Sequence, residues 1–143
     1  ELQVDADRTL RDLGDIVGLS PSAVQRRVQK YKRAGLIRTV AQIVPDHVPT
    51  LTQALVLLSL GTETPDTHRR LTDALRAHPA IQQCMLLSGK WDYAVVVSAG
   101  SVRELRDVCT ELFKADENIR RYDTMFILDT VVGGTRIPVQ YLN

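Results

Sequence analysis

Apolar positions in the first third of the chain fall at helical spacing in two short blocks. Leu10, Leu13 and Ile16/Val17 form one stripe, and Val24, Val28 and Tyr31 form another. Thr9 and Ser20 stand directly before these blocks, where a hydroxyl can accept from the free N–H groups of a first helical turn. Pro21 occupies the first helical position, at which a missing N–H costs nothing. Gly18-Leu19 separates the blocks. Gly35 supplies a left-handed stop to the second, with Leu36 placed to fold back on its last turn. The pattern predicts a helix-turn-helix over Thr9–Ile37. Gly14 lies inside the first helix, where glycine is about 1 kcal/mol worse than alanine; close approach of the second helix accounts for it.

The spacing then changes. Leu36–Val44 is β-branched and roughly alternating, which predicts a strand leaving the first domain, and the two prolines of Pro45-Asp46-His47-Val48-Pro49 mark a linker. From Leu51 one unit occurs twice: strand Thr52–Leu60, a helix begun by Thr64-Pro65-Asp66 with Leu71, Ala74 and Leu75 inward, and strand Ile81–Leu87. Strand Tyr93–Ala99 follows, then a helix opened by the capping box Ser101–Glu104 with Leu105, Val108, Cys109, Leu112 and Phe113 inward, and a long strand Ile119–Val132. The order βαββαβ predicts a ferredoxin-like sheet with both helices on one face. The fold class is therefore α+β: a winged-type helix-turn-helix in residues 1–44, with its first helix largely missing and an exit strand, a linker at 45–50, and a ferredoxin-like domain at 51–143. ELQVDAD is too short for the third helix such a module needs, so residues before Glu1 are expected to complete it.

Ala54–Leu58, Ala94–Val97 and Met125–Leu128 are apolar at successive positions, so both faces of the sheet are hydrophobic. Two helices cover one face. A second copy of the same sheet is the expected cover for the other, which predicts an obligate homodimer.

Charge sharpens the first domain. Between Ile16 and Pro45 there are six basic residues, Arg26, Arg27, Lys30, Lys32, Arg33 and Arg38, and no acidic one, in a chain of net charge +1. Such asymmetry suits contact with DNA phosphates. Ser22, Gln25, Arg26 and Gln29 lie toward the exposed N-terminal half of the second helix and are candidates for base edges. Ser20, Arg27, Lys30, Lys32, Arg33 and Arg38 suit phosphates, although Arg27 lies beside the apolar stripe and can instead pair with an acid of the first helix. Elsewhere the chemistry is plain. The 143 residues contain no apolar run long enough to cross a bilayer and no signal peptide, so a cytoplasmic, nucleoid-associated protein is expected. Cys84 and Cys109 have no metal-site spacing and read as reduced structural thiols; His47, His68 and His78 form no catalytic motif, and no Gly-rich phosphate loop occurs. No catalytic residue, metal or cofactor is expected.

The order helix-turn-helix, exit strand, βαββαβ resembles the leucine-responsive/asparagine-regulator (Lrp/AsnC, feast/famine) transcription regulators over essentially the whole chain. Its most specific pieces are Val17-Gly18-Leu19-Ser20-Pro21-Ser22 with Val24, Arg27-Val28 and Gly35-Leu36-Ile37, and then Gly89-Lys90-Trp91-Asp92-Tyr93. The family pattern has leucine where this chain has Tyr31 and alanine where it has Gly14. The resemblance implies a transcriptional regulator of double-stranded DNA that dimerises, often assembles as an octamer of four dimers, and responds to a small molecule, usually an amino acid. That effector binds between dimers near the turn joining the second and third strands, here Ser88–Tyr93. By residue chemistry alone Ser88–Asp92 is an ordinary hairpin connection. With the resemblance it becomes an effector site: Asp92 accepts from an ammonium, Ser88 and the backbone N–H groups near Gly89 donate to a carboxylate, and Trp91 or Tyr93 walls the side chain. Thr130 is a weaker candidate carried over in the same way. Two other readings remain open at this level, a nucleoid-organising DNA-binding protein and a sirohaem-decarboxylase-like enzyme.

Overall fold

The computed structural model describes residues 1–134 and 136–141, with the backbone alone for Asp46. The chain divides into two compact units, Glu1–Ile43 together with the segment from Val132, and Val44–Val131.

In the first unit the local signals act as written. Thr9 accepts from the Asp12 N–H and starts α1, Leu10–Val17; Gly18 ends it in the left-handed conformation at φ 67°. Ser20 accepts from the Ala23 N–H at 3.3 Å and starts α2, Pro21–Arg33, with the proline in its first turn. Gly35, at φ 69°, closes α2: its N–H donates to Lys32 O and that of Leu36 to Tyr31 O, so two orphan carbonyls of the last turn are satisfied. Gly14 has a different reason from the one the sequence suggested. A Cβ there would lie 2.4 Å from the Leu19 carbonyl oxygen, so the turn between the helices, rather than the body of α2, makes the close approach. Of the two apolar stripes only Leu13 and Val24 are buried; Leu10, Ile16, Val17 and Tyr31 are exposed. The segment from Val132 returns to this unit, where the Gln3 side-chain amide donates to Ile137 O at 2.9 Å and accepts from Ile137 N at 2.8 Å.

The expected exit strand does not form. Residues 36–44 pair with no strand among the described residues and leave Val40, Ile43 and Val44 exposed. A β pattern supplies one side of a ladder, and a strand needs a partner on the other. One 3₁₀ turn, Pro45–His47, lies in the linker.

The second unit is the βαββαβ fold. β1 (Thr52–Leu60), β2 (Ile81–Leu86), β3 (Tyr93–Ala99) and β4 (Ile119–Phe126) form an antiparallel sheet in the order β2-β3-β1-β4. The helices are α3 (Pro65–Ala77) and α4 (Val102–Cys109), the latter prolonged by a π-helical turn, Thr110–Lys114. Ala54, Val56, Leu58, Leu60, Tyr93, Val95, Val97 and Ala99 of the sheet bury against Leu71 and Leu75 of α3 and Leu105, Val108, Cys109 and Phe113 of the α4 segment. Each of the larger side chains contributes about 1.5–3 kcal/mol by leaving water. Ala74, expected inward, is exposed, and Thr72 turns partly in instead. The capping also differs in detail. Thr64 and Thr67 form a reciprocal box at the start of α3, whereas Glu104 accepts from the Gly100 N–H at 2.8 Å instead of closing its box on Ser101. β4 stops at Phe126, six residues short of the expected Val132, and Leu128, Val131 and Val132 are almost fully exposed.

Candidate DNA-contact face and effector turn

Because α2 buries only Val24, with Ala23 and Val28 partly covered, the rest of its surface faces solvent. Ser20, Ser22, Gln25, Arg26, Arg27, Gln29, Lys30, Lys32, Arg33 and Arg38 are all exposed. None of the six basic residues is in an ion pair among the described residues, and Arg27 takes no acid from α1. Asp12 of α1 is engaged elsewhere, its carboxylate accepting from the Thr9 hydroxyl at 2.7 Å. The Ser20 hydroxyl caps α2 and lies 3.2 Å from that of Ser22, so both hydroxyls sit at the N-terminal end of α2. Unpaired cations along α2, with Arg38 just beyond it, form an exposed surface able to hold phosphates and reach base edges.

In the second unit the β2–β3 turn, residues 87–92, is held at three points. The Leu87 N–H donates to Asp92 O and the Asp92 N–H to Leu58 O, both at 2.8 Å, and the Asp92 carboxylate accepts from the Leu60 N–H at 2.6 Å. Asp92 therefore ties the turn to the end of β1, and one carboxylate oxygen already has a structural partner. Gly89, at φ 145°, takes a conformation that a side chain disfavours. Leu87, Ser88, Gly89 and Lys90 are exposed and Trp91 is half-buried, and together they form the accessible surface of the turn. Tyr93 does not join them. It belongs to the alternation Tyr93, Val95, Val97, Ala99, lies under the helices, and its hydroxyl hydrogen-bonds His68 Nδ1 of α3 at 2.5 Å. Burial raises the Tyr93 phenol above its ordinary range, with the neighbouring Cys84, Asp92 and Glu63 acting in the same direction. Thr130 is exposed beyond the end of β4, not within it.

The sequence reading missed the neighbours of this turn. Ser59, Lys90, Trp91, Arg120 and Arg121 line an open cleft of about 410 Å³. The adjacent pair Arg120-Arg121 at the start of a strand, where alternation predicts one charged and one apolar residue, was the available signal. A second cleft of similar size lies between α3 and β2, lined by Thr72, Leu75, Arg76, Ile81, Cys84, Leu86 and Tyr93 among others. Cys109 is buried, and Cys84 is exposed on β2 rather than packed in the core. Burial raises both thiols; Arg76 opposes it at Cys84 and a hydrogen bond with Thr124 opposes it at Cys109. The three histidines do not converge: His68 bonds Tyr93, and His78 Nδ1 accepts from the Ala80 N–H at 3.2 Å at the end of α3. No helix among the described residues is long and apolar enough to cross a membrane.

Comparison with known proteins agrees with both units. Residues 1–32 match the AsnC-type helix-turn-helix domain, and residues 53–137 match the Lrp/AsnC ligand binding domain. Over 140 residues, 97% of this chain and 89% of the relative, it is 26% identical to the transcriptional regulator AzlB of Bacillus subtilis (strain 168). The crystal structure of an AsnC family transcriptional regulator from Agrobacterium tumefaciens superposes with a TM-score of 0.88 at 25% identity, covering 99% of this chain and 93% of the other. A feast or famine regulatory protein from M. tuberculosis, complexed with L-methionine, gives 0.79 at 28% identity over 96% and 92%. With one family model covering more than half of its length and a second covering α1 and nearly all of α2, this chain belongs to the Lrp/AsnC family of transcriptional regulators.

Proposed function

We propose that this regulator reads a specific DNA sequence with α2 and that an amino acid bound at the β2–β3 turn alters its assembly and hence its DNA binding. The observation that carries the reading is the face of α2: five cations, with Arg38 just beyond the helix, all without acidic partners among the described residues, on a helix whose N-terminus is capped and exposed. Ser22, Gln25, Arg26 and Gln29 take base edges, and Ser20, Arg27, Lys30, Lys32, Arg33 and Arg38 take phosphates. The methionine-complexed relative supports an amino acid as the effector. Ser88, Gly89 and Trp91 offer the surface for it, and Asp92 offers its remaining carboxylate lone pairs to an ammonium; Tyr93 acts from beneath through its bond to His68, and Thr130 stays outside the core of the site.

A homodimer fits the sheet. Its face away from the helices carries Leu55, Leu57, Ala94, Val96, Met85 and Met125, with Met85 and Met125 over two-fifths exposed. A second copy of this stripe covers it, and dimers then assemble further, as an octamer for four of them. An effector shifts DNA binding only through differential affinity for two assembly states, so it acts on the packing of dimers.

Titrating the full chain onto an operator selected from random DNA tests the reading, with each of the twenty amino acids at millimolar concentration. The expected result is a two-fold symmetric footprint, with half-sites about 10 bp or a multiple apart, and a change in affinity with one or a few related amino acids. Trp91→Ala removes the response while leaving effector-free binding unchanged. Equal affinity for operator and competitor DNA would overturn sequence-specific regulation in favour of a nucleoid-organising role.

A further inference from the structure

The cleft beside the effector turn is built by a local break in the sheet. On β1 Ser59 pairs with Arg121 of β4, and Leu60 pairs with Ile119, so Arg120 is an extra residue opposite no β1 residue. A regular strand would send Arg120 and Arg121 to opposite faces. The bulge lets both reach the same one, which is a common use of bulges beside sites. Arg120 Nη2 donates to Ser59 Oγ at 2.9 Å, and Arg121 lies over the Trp91 ring at 5.0 Å from its centroid. Lys90 approaches that ring at 5.7 Å from the turn. Ser59, 5% exposed, is a buried polar residue among apolar neighbours of β1, and its hydroxyl proton is not used by the bond from Arg120.

The charges leave room for an anion. Of the three cations lining the cleft, Arg121 is forked onto the Asp123 carboxylate, Nη2 to Oδ2 at 2.9 Å and Nε to Oδ1 at 3.3 Å. Lys90 and Arg120 have no acidic partner among the described residues, and the nearby Asp92 carboxylate is held by the Leu60 N–H. A planar guanidinium steadied by a serine, an ammonium and an indole wall together suit a carboxylate on a short carbon chain.

We propose that this cleft is the subsite for a second carboxylate of the effector, so that the ligand class is the dicarboxylates: acidic amino acids or their 2-oxo counterparts. This rests on the effector reading of the β2–β3 turn, since Trp91 belongs to both turn and cleft. Arg120 grips the second carboxylate, Ser59 positions Arg120 and donates its own proton, Lys90 neutralises the remaining charge, and Trp91 covers the methylene chain.

The test is isothermal titration of the full chain with L-glutamate, L-aspartate and 2-oxoglutarate, against L-leucine, L-methionine and inorganic phosphate. The expected result is that at least one dicarboxylate binds ten-fold or more tightly than every neutral amino acid and phosphate. Arg120→Gln and Ser59→Ala should each weaken it, Arg120→Gln by at least ten-fold, with circular dichroism and melting temperature showing a folded protein, while Arg103→Gln on α4 has no effect. Ser59→Ala keeps the test decisive if Arg120→Gln fails to fold. A neutral amino acid that binds best and is indifferent to both variants would overturn the subsite and leave the amino-acid-gated regulator standing. Phosphate binding as strong as dicarboxylate binding, or ligand-free DNA affinity that falls with Arg120→Gln, would overturn it in favour of a phosphate contact. Binding by none of these compounds would overturn the dicarboxylate subsite, and the titration with all twenty amino acids then decides the effector reading separately.

Discussion

The two units of this protein spend their residues in opposite ways. The βαββαβ unit buries a continuous layer of side chains from its two central strands and two helices, flanked by partly buried Ile81, Ile119 and Tyr122 of the edge strands, with Val56, Leu58, Val95, Leu75, Leu105 and Phe113 almost wholly removed from water. The helix-turn-helix buries the side chains of Leu13 and Val24, partly covers Leu19, Ala23 and Val28, and exposes most of its other polar and apolar residues. It is specified by its ends instead: two hydroxyl caps, two left-handed glycines and a proline at a first turn. One region is held by area and the other by local hydrogen bonds, and the second is accordingly the one with side chains to spare for a partner. The β2–β3 turn of the first region follows the same division, with Asp92 and Tyr93 committed to the fold and Ser88, Gly89 and Trp91 left to the surface.

The contrast can be broken at its strongest point. Phe113→Ala removes a fully buried ring and is expected to destabilise the protein by about 3–5 kcal/mol, read as a lower urea midpoint. Arg26→Ala should do the reverse: a loss of about 1–3 kcal/mol in operator affinity with relaxed sequence preference, and a urea midpoint unchanged. Lys30→Ala should weaken binding uniformly across sequences and reduce the salt slope by about one. Should Arg26→Ala unfold the protein, the separation of fold from contact surface in α2 fails. Asp92→Ala tests the same separation at the turn; unpairing the Leu60 N–H is expected to lower stability by about 1–3 kcal/mol, so a melting temperature equal to wild type would show the carboxylate to be free for ligand. Ser20→Ala removes the cap of α2, costing about 1 kcal/mol, and should weaken DNA binding through the helix as well as through any lost phosphate contact.

The smallest expected effect is one of pH. Burial raises the Tyr93 phenol above its ordinary 10.0 and the Cys109 thiol above 9.0, so the folded protein keeps these protons longer than the unfolded chain. The stability they contribute is whole below about pH 9 and is lost as pH rises through that value and past 10. Melting temperature should therefore fall over this interval, less steeply in Tyr93→Phe and in Cys109→Ala. A slope identical in both variants would remove these groups from the account.

What could be read in advance divides along the same physical line. Helix ends, the turn and every strand start of the ferredoxin-like unit were legible, because caps, prolines, left-handed glycines and a period of two are local properties. Even the inward direction of Tyr93 was available, since it shares alternation with Val95 and Val97, although the motif around it drew attention to ligand chemistry instead. Residues 36–44 were read as a strand because their side chains suit one, yet a ladder is a property of two segments. Residues 127–132 failed alike: Ile127 N still bonds Gln53 O, and then β1 offers no further partner. Ala74 and Thr72 exchanged places because a helical stripe fixes its own face only to within about one residue.

The sequence by itself determined the kind of every element in the ferredoxin-like unit, the caps of both helices of the first unit and the basic character of α2, since each follows from spacing and residue type over a few positions. Tertiary structure alone decided which apolar stripes are covered, that Asp92 is tied to Leu60, and that a bulge opposite Ser59 brings Arg120 and Arg121 into one cleft. Those outcomes depend on how segments far apart in the chain come into register, and register is a relation between strands that neither strand contains.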